Sequence, residues 1–183
     1  MAKPKKEIIL GVTGSIAAYK ACDIINGLKK LNFNVIPLMT KEAKNFISPL
    51  TLQTLSGNKV IEEMFALPDN FDPLHTSLAE RADLVLIAPA TANIIGKLAN
   101  GICDDILSCT VFATRAPVLI APAMNDRMYN HKVVKTNISR LKELGYKFIG
   151  PVSGRLVCGY RGMGHLAGVD AIVTQAKKAL RNR

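Results

Sequence analysis

Cys158 stands in RLVCGYRGMG, residues 155–164, a glycine-rich stretch where an apolar core segment would be the ordinary home of a free thiol. A thiol reacts where it is reachable, and a buried structural cysteine is inert, so its setting makes Cys158 a candidate reactive group. GVTGSIAA, residues 11–18, offers a different chemistry. Its glycines, the Ser15 hydroxyl and the free N–H groups of a helix start form a cradle for a phosphate. The turn is not G-x-G-x-x-G, and no acidic residue is placed for a ribose 2′-hydroxyl, so a mononucleotide phosphate fits better than a dinucleotide. APATANI (88–94) and APAMNDRMYN (121–130) bring in Asn93 and Asn125, whose amides can read a heterocycle or a carboxylate. Thr91 and Asn93 suit the cap of a following helix equally well. His75, in FDPLHTSLAERADL, reads as a lone loop imidazole, and His131 and His165 are as isolated.

These residues need a frame to bring them together. EIILGV (7–12) is a short apolar run ending at the glycine turn, followed by Ala18, Ala21, Cys22, Ile25 and Leu28 at helical spacing. NVIPLM (34–39) reads as a second strand, with Pro37 suited to an edge or a bulge. ADLVLIAP and APVLIAPAMN are continuous and branched, as parallel strands covered on both faces tend to be. Helical patterns lie at 92–99, 132–144 and 169–180, and YKFIGP is a further strand. The order predicts an α/β, Rossmann-like (flavodoxin-like) three-layer sandwich with a mostly parallel sheet and right-handed crossovers. A ligand then sits beyond the carboxyl ends of the strands, where the three loops above lie.

Composition agrees with one domain, read as 1–183 with a core at 7–180. The 183 residues are 49% hydrophobic and 21% charged, a globular balance. Lys and Arg number 24 against 14 Asp and Glu, a formal charge of +10 that favours anionic ligands. No helix-turn-helix, zinc finger or RNP-like strand argues for nucleic acid. A membrane span needs roughly 18 or more apolar residues, and no such run or secretory signal occurs, so a cytoplasmic location is expected. Cys22, Cys103, Cys109 and Cys158 form no C-x-x-C and no group with the histidines, so neither a metal nor a disulfide framework is expected. The first three read as core residues.

GVTGSIAAYK, His75 ahead of ADLVLIAPATANIIGKLANGICDD, PAMNDRMY and LVCGYRGMG occur in that order. Together, from residue 7 to 180, they resemble the homo-oligomeric flavin-containing cysteine decarboxylases. The resemblance implies FMN, with its phosphate at Gly14 and Ser15 and with Thr40 and Phe46 near it. Ala90, Thr91, Ala92, Asn93 and Ser108 would surround the flavin, with Ala123 and Met124 close by. It implies three catalytic residues: His75 for acid/base or orienting work, Asn125 on the substrate carboxylate, and Cys158 in the final reduction of an enethiol. Met128, Val157 and Gly159 would join Asn125 in binding substrate, under a mobile clamp at 155–166 whose Gly159, Gly162 and Gly164 let it close and open. A cysteine carboxylate loses CO₂ poorly because the carbanion left behind has no electron sink. In the family, oxidation of the C–S unit to a thioaldehyde supplies one.

The implied substrate is 4′-phospho-N-pantothenoyl-cysteine, on the route to coenzyme A, with a C-terminal peptidyl cysteine as the alternative. The implied assembly is a trimer, open to further association into a dodecamer, with a phosphopantothenate–cysteine ligase fused to the chain or working beside it. A flavin prenyltransferase would have no use for the Cys158 loop or PAMN, and a non-catalytic regulatory relative would not need both His75 and Cys158. Tyr129 replaces a family Trp, His165 a family Arg, and Ile94 a common Thr. Lys20 and Arg115, and with no better warrant Lys97 and Arg155, are basic side chains a phosphate could meet.

Overall fold

The computed structural model describes residues 4–65, 73–155, 159 and 161–181. Five parallel strands form one sheet in the order β2-β1-β3-β4-β5: β1 Glu7–Val12, β2 Asn34–Met39, β3 Leu84–Ala90, β4 Val118–Pro122 and β5 Lys147–Phe148. This is the flavodoxin-type doubly wound order. Side chains alternate across a strand, and here both faces are apolar. Ile8, Leu10 and Val12 of β1 with Leu84, Leu86 and Ala88 of β3 face one layer. That layer is closed by α1 (Ala21–Lys30) and α8 (Val169–Arg181). Ile9, Val85, Ile87 and Ile120 face the other. There the cover is α3 (Leu74–Arg81), α4 (Ala92–Ala99), α5 (Ile106–Ala113) and α7 (Lys132–Glu143). Each such buried aliphatic side chain contributes about 1.5–3 kcal/mol.

Pro37 sits where its chemistry allows. Its carbonyl accepts from the Ile61 N–H on the side of β2 away from β1 (3.0 Å). A residue's N–H and C=O point to the same side of a strand, so the missing proline donor lies on the outer edge and costs no bond to β1. Among the described residues, only the single bridge Leu38↔Ile61 lies beyond β2.

The structure differs from the sequence reading at several places. His75 is the second residue of α3 and not in a loop. Helices α2 (Pro49–Ser56), α5 and α6 (Asp126–Asn130) and short 3-10 turns at Ile16–Lys20 and Lys41–Asn45 were not anticipated. Residues 161–165, read as loop, are a strand, β7 (Arg161–His165), paired antiparallel with β6 (Val152–Arg155). Glycines at 154, 162 and 164 concealed this hairpin, because glycine has low strand propensity. Cys22 is half-buried and packs against the core, whereas Cys103 is exposed and Cys109, half-buried, lies outside it. Cys109 instead packs its Sγ at 3.3 Å from the Met64 sulfur.

Candidate functional site

In the order 2-1-3-4-5 the chain leaves β1 and β3 toward opposite sides, which opens a crevice at their carboxyl ends. Thr13 ties its two lips together. Its buried hydroxyl donates to the Pro89 carbonyl (2.8 Å) and accepts from the Thr91 N–H (3.0 Å). The turn that follows is tight: a Cβ on Gly14 would lie 2.5 Å from the Cβ of Glu42, so only glycine fits. Ser15 caps the 3-10 turn, its hydroxyl accepting from the Ala17 N–H. Thr91 caps α4 in the same way through the Ile94 N–H.

These residues wall a cavity of about 240 Å³ with Thr40, Glu42, Ala92, Asn93, Asp105, Ala123, Met124 and Met128. The Thr40 hydroxyl is buried there without a hydrogen-bond partner. Leaving a buried polar group unmade costs about 1–3 kcal/mol, which is sensible where a ligand oxygen completes it. The Gly14 turn and the Ser15 and Thr40 hydroxyls beside Ala and Met walls fit a flavin mononucleotide, with the Glu42 and Asp105 carboxylates on the same lining.

A second cavity, of about 540 Å³, adjoins the first and shares Ser15, Ala123 and Met124 with it. One wall is Ile16, Ala17, Tyr19 and Lys20; the other is Asn125 and Gly164, His165 and Leu166 of the hairpin segment. Asn125 is the N-cap of α6, and its Oδ1 accepts from the Arg127 N–H (2.9 Å), which fixes the plane of the amide. The Met124 N–H donates to the Gly164 carbonyl (3.0 Å), hooking β7 to this loop. A side chain at Gly164 would collide with the Met124 carbonyl.

Of the residues singled out from sequence, the structure gathers Gly14, Ser15, Thr40, Thr91, Ala92, Asn93, Ala123, Met124 and Met128 at the first cavity and Asn125 at the second. Ala90 lies buried behind them, its carbonyl accepting from the Ala123 N–H. Ser108 does not line either cavity. It is wholly buried in a capping box, where its N–H donates to Asp105 Oδ1 (2.7 Å) and its hydroxyl accepts from the Asp105 N–H. Phe46 is 44% exposed and ends the 3-10 turn at Lys41–Asn45. His75, half-buried on α3, is outside both cavities of its own chain. Gly159 is exposed with φ 94°, a left-handed geometry that favours glycine. Val157 and Cys158 lie outside the described residues.

Among the basic candidates Lys20 lines the second cavity. Arg115 stands beside Pro117 at the opposite, amino-terminal end of β4. Lys97 is bound to Asp104 and Asp105, each at 2.7 Å. Thr13 and Asp105 are wall residues that the sequence reading missed. Thr13 carries no signal of its own within GVTGSIAA, and the D-x-x-S spacing of Asp105 and Ser108 is a legible helix-start signal. Burial opposes ionisation of Asp105, but the Lys97 ammonium and the Ser108 N–H outweigh it and hold its pKa below the usual carboxylate value.

The Flavoprotein family model matches residues 1–181. The chain belongs to that family. It is 49% identical over 173 residues to the coenzyme A biosynthesis bifunctional protein of Bacillus subtilis, a match covering 94% of this chain and 43% of the relative. The chain thus spans less than half the length of that relative. It is 45% identical over 177 residues to a Streptococcus mutans protein named "Probable phosphopantothenoylcysteine decarboxylase", covering 96% of this chain and 99% of the other. The solved structure of an FMN binding protein superposes with a TM-score of 0.85 at 29% identity, covering 98% of this chain and 99% of that one.

Proposed function

We propose that the chain is an FMN-dependent decarboxylase that converts 4′-phospho-N-pantothenoyl-cysteine to 4′-phosphopantetheine in coenzyme A biosynthesis. The observation that carries this is the wall common to the two cavities. Ser15, Ala123 and Met124 face both, so a cofactor in the smaller and a substrate in the larger meet across them. The family membership and the relatives' names support the chemistry.

FMN, when bound, supplies the two-electron sink that a cysteine carboxylate lacks. Gly14, Ser15 and Thr40 would hold it from the phosphate end, with Ala92, Asn93 and Met124 along the ring. Asn125, whose amide is fixed by its capping bond, holds the substrate carboxylate next to that ring and sets its direction of departure, a contribution of placement. The side chains of Ile16, Ala17, Leu166 and Met124 give the reacting end an apolar wall. Lys20 is a cation on the wall of the larger cavity that suits a phosphorylated substrate. Cys158 would deliver the proton in the closing reduction. His75 would move or orient a proton, and its place outside both cavities of its own chain suits delivery from a neighbouring copy. That placement supports a homo-oligomer, with the trimer that the resemblance implies.

Fusion to a phosphopantothenate–cysteine ligase, or action beside one, suits the bifunctional relatives. Among the described residues no helix is long and apolar enough to cross a membrane. A cytoplasmic place is the one a coenzyme A biosynthetic step would require. The test is mass spectrometry of 4′-phospho-N-pantothenoyl-cysteine incubated with FMN-loaded protein. The expected product has lost CO₂ at unchanged final oxidation level. FMN binding with no turnover of this substrate, and turnover of a C-terminal cysteine peptide, would overturn the assignment in favour of a peptidyl-cysteine decarboxylase.

A further inference from the structure

Lys97 is on the last turn of α4, whose first residues, Ala92, Asn93 and Ile94, line the smaller cavity. Its side chain is 18% exposed and its ammonium reaches Asp104 Oδ1 and Asp105 Oδ2, both at 2.7 Å. Asp105 lines the same cavity from the start of α5. Its two carboxylate oxygens are both committed, Oδ1 to the Ser108 N–H and Oδ2 to Lys97. One cation therefore joins two walls of the cavity that are otherwise on separate helices.

Resting on the cofactor reading above, we propose that Lys97 is a positioning residue for the flavin: it sets the spacing between the α4 and α5 walls and neutralises acidic charge at their rim. The physical reason is the pairing itself. Two adjacent carboxylates repel each other and repel an anionic ligand, and an ammonium between them offsets one of the two charges. Exposed ion pairs contribute little, but Lys97 and Asp105 are largely covered, with side chains 18% and 24% exposed. The contact is charge-assisted on both sides. Without the ammonium, Asp105 keeps only its Ser108 N–H bond, and its charge and that of Asp104 have lost their cation beside the place where an anionic cofactor would dock.

The experiment measures FMN affinity by flavin fluorescence, and the absorption band shape of bound FMN, for wild type, Lys97→Gln, Lys97→Met and Lys97→Arg, each checked for folding by circular dichroism. Lys97→Gln should lose at least about tenfold in affinity, the equivalent of about 1.4 kcal/mol, and alter the band shape. Lys97→Arg, which keeps the charge and can fork to two carboxylates, should recover most of both. Lys97→Met serves the same comparison if the Gln variant does not fold. In the double variant Lys97→Gln/Asp105→Asn the loss should be smaller than the sum of the single losses. A folded neutral variant with wild-type affinity and band shape would overturn the assignment alone. Wild-type protein that takes up no FMN would overturn the cofactor reading and this inference with it.

Discussion

Thr40 and Thr13 show how much a single hydroxyl carries in this cleft. The Thr40 hydroxyl is buried and unpartnered, so Thr40→Val, nearly isosteric, removes an unmet polar group. The ligand-free protein should become more stable by roughly 1 kcal/mol while FMN binding weakens severalfold. Parallel thermal melts with and without FMN read both directions, and a variant destabilised in both states would refute the ligand-facing role. Thr13 works the other way, because its hydroxyl is fully engaged with Pro89 and Thr91. Thr13→Val strands the Pro89 carbonyl and the Thr91 N–H, and should cost about 1–3 kcal/mol of stability. The sequence made the glycines and Ser15 legible, since their types name their work. It did not make Thr13 legible, because its partners lie 76 and 78 residues away and are joined to it only by the sheet order.

At the scale of elements, helix caps and strand runs were readable and the hairpin was not. β1, β2 and α4 begin and end where their apolar periods and the Thr91 cap put them. The pair β6 and β7 has no apolar alternation, and what makes it a hairpin is tertiary: Gly154 leaves room for the His165 ring, 2.7 Å from where its Cβ would be, and Gly164 lies against the Met124 carbonyl. Gly164→Ala should unhook β7 from the loop carrying Asn125. Decarboxylation should then fall by at least tenfold while FMN affinity stays within about twofold, since Gly164 lines only the larger cavity. Equal loss of both would show that the hairpin supports the cofactor as well. The α5 cap gives a pH prediction. The Asp105 pKa is lowered in the folded chain, so its stabilisation is fully present above its unfolded pKa, near 4, and is lost as pH falls through the lower folded value. Asp105→Asn should lower stability at neutral pH, and its difference from wild type should shrink in acid melts below about pH 4.

For the whole molecule, the position of His75 bears on the proposed functional unit. The residue types make His75 a lone loop imidazole, and only the family resemblance implies a role near the reacting cysteine end. The fold instead puts His75 on α3, in the layer with α5 and outside the walls of both cavities of its own chain. No sequence pattern could reveal that separation, because it depends on which face of the sheet α3 covers. The proposed action of the histidine on a substrate held by another copy has a direct test. His75→Ala and Asn125→Ala should each abolish decarboxylation while leaving FMN bound, since neither side chain lines the smaller cavity. Mixing the two dead proteins under conditions that let subunits exchange should then restore activity. Sites formed by an intact Asn125 from one copy and an intact His75 from its neighbour contain every required group. A mixture shown by mass to hold mixed oligomers and still inactive would place the histidine's work within its own chain, and α3 would have to move to bring it there.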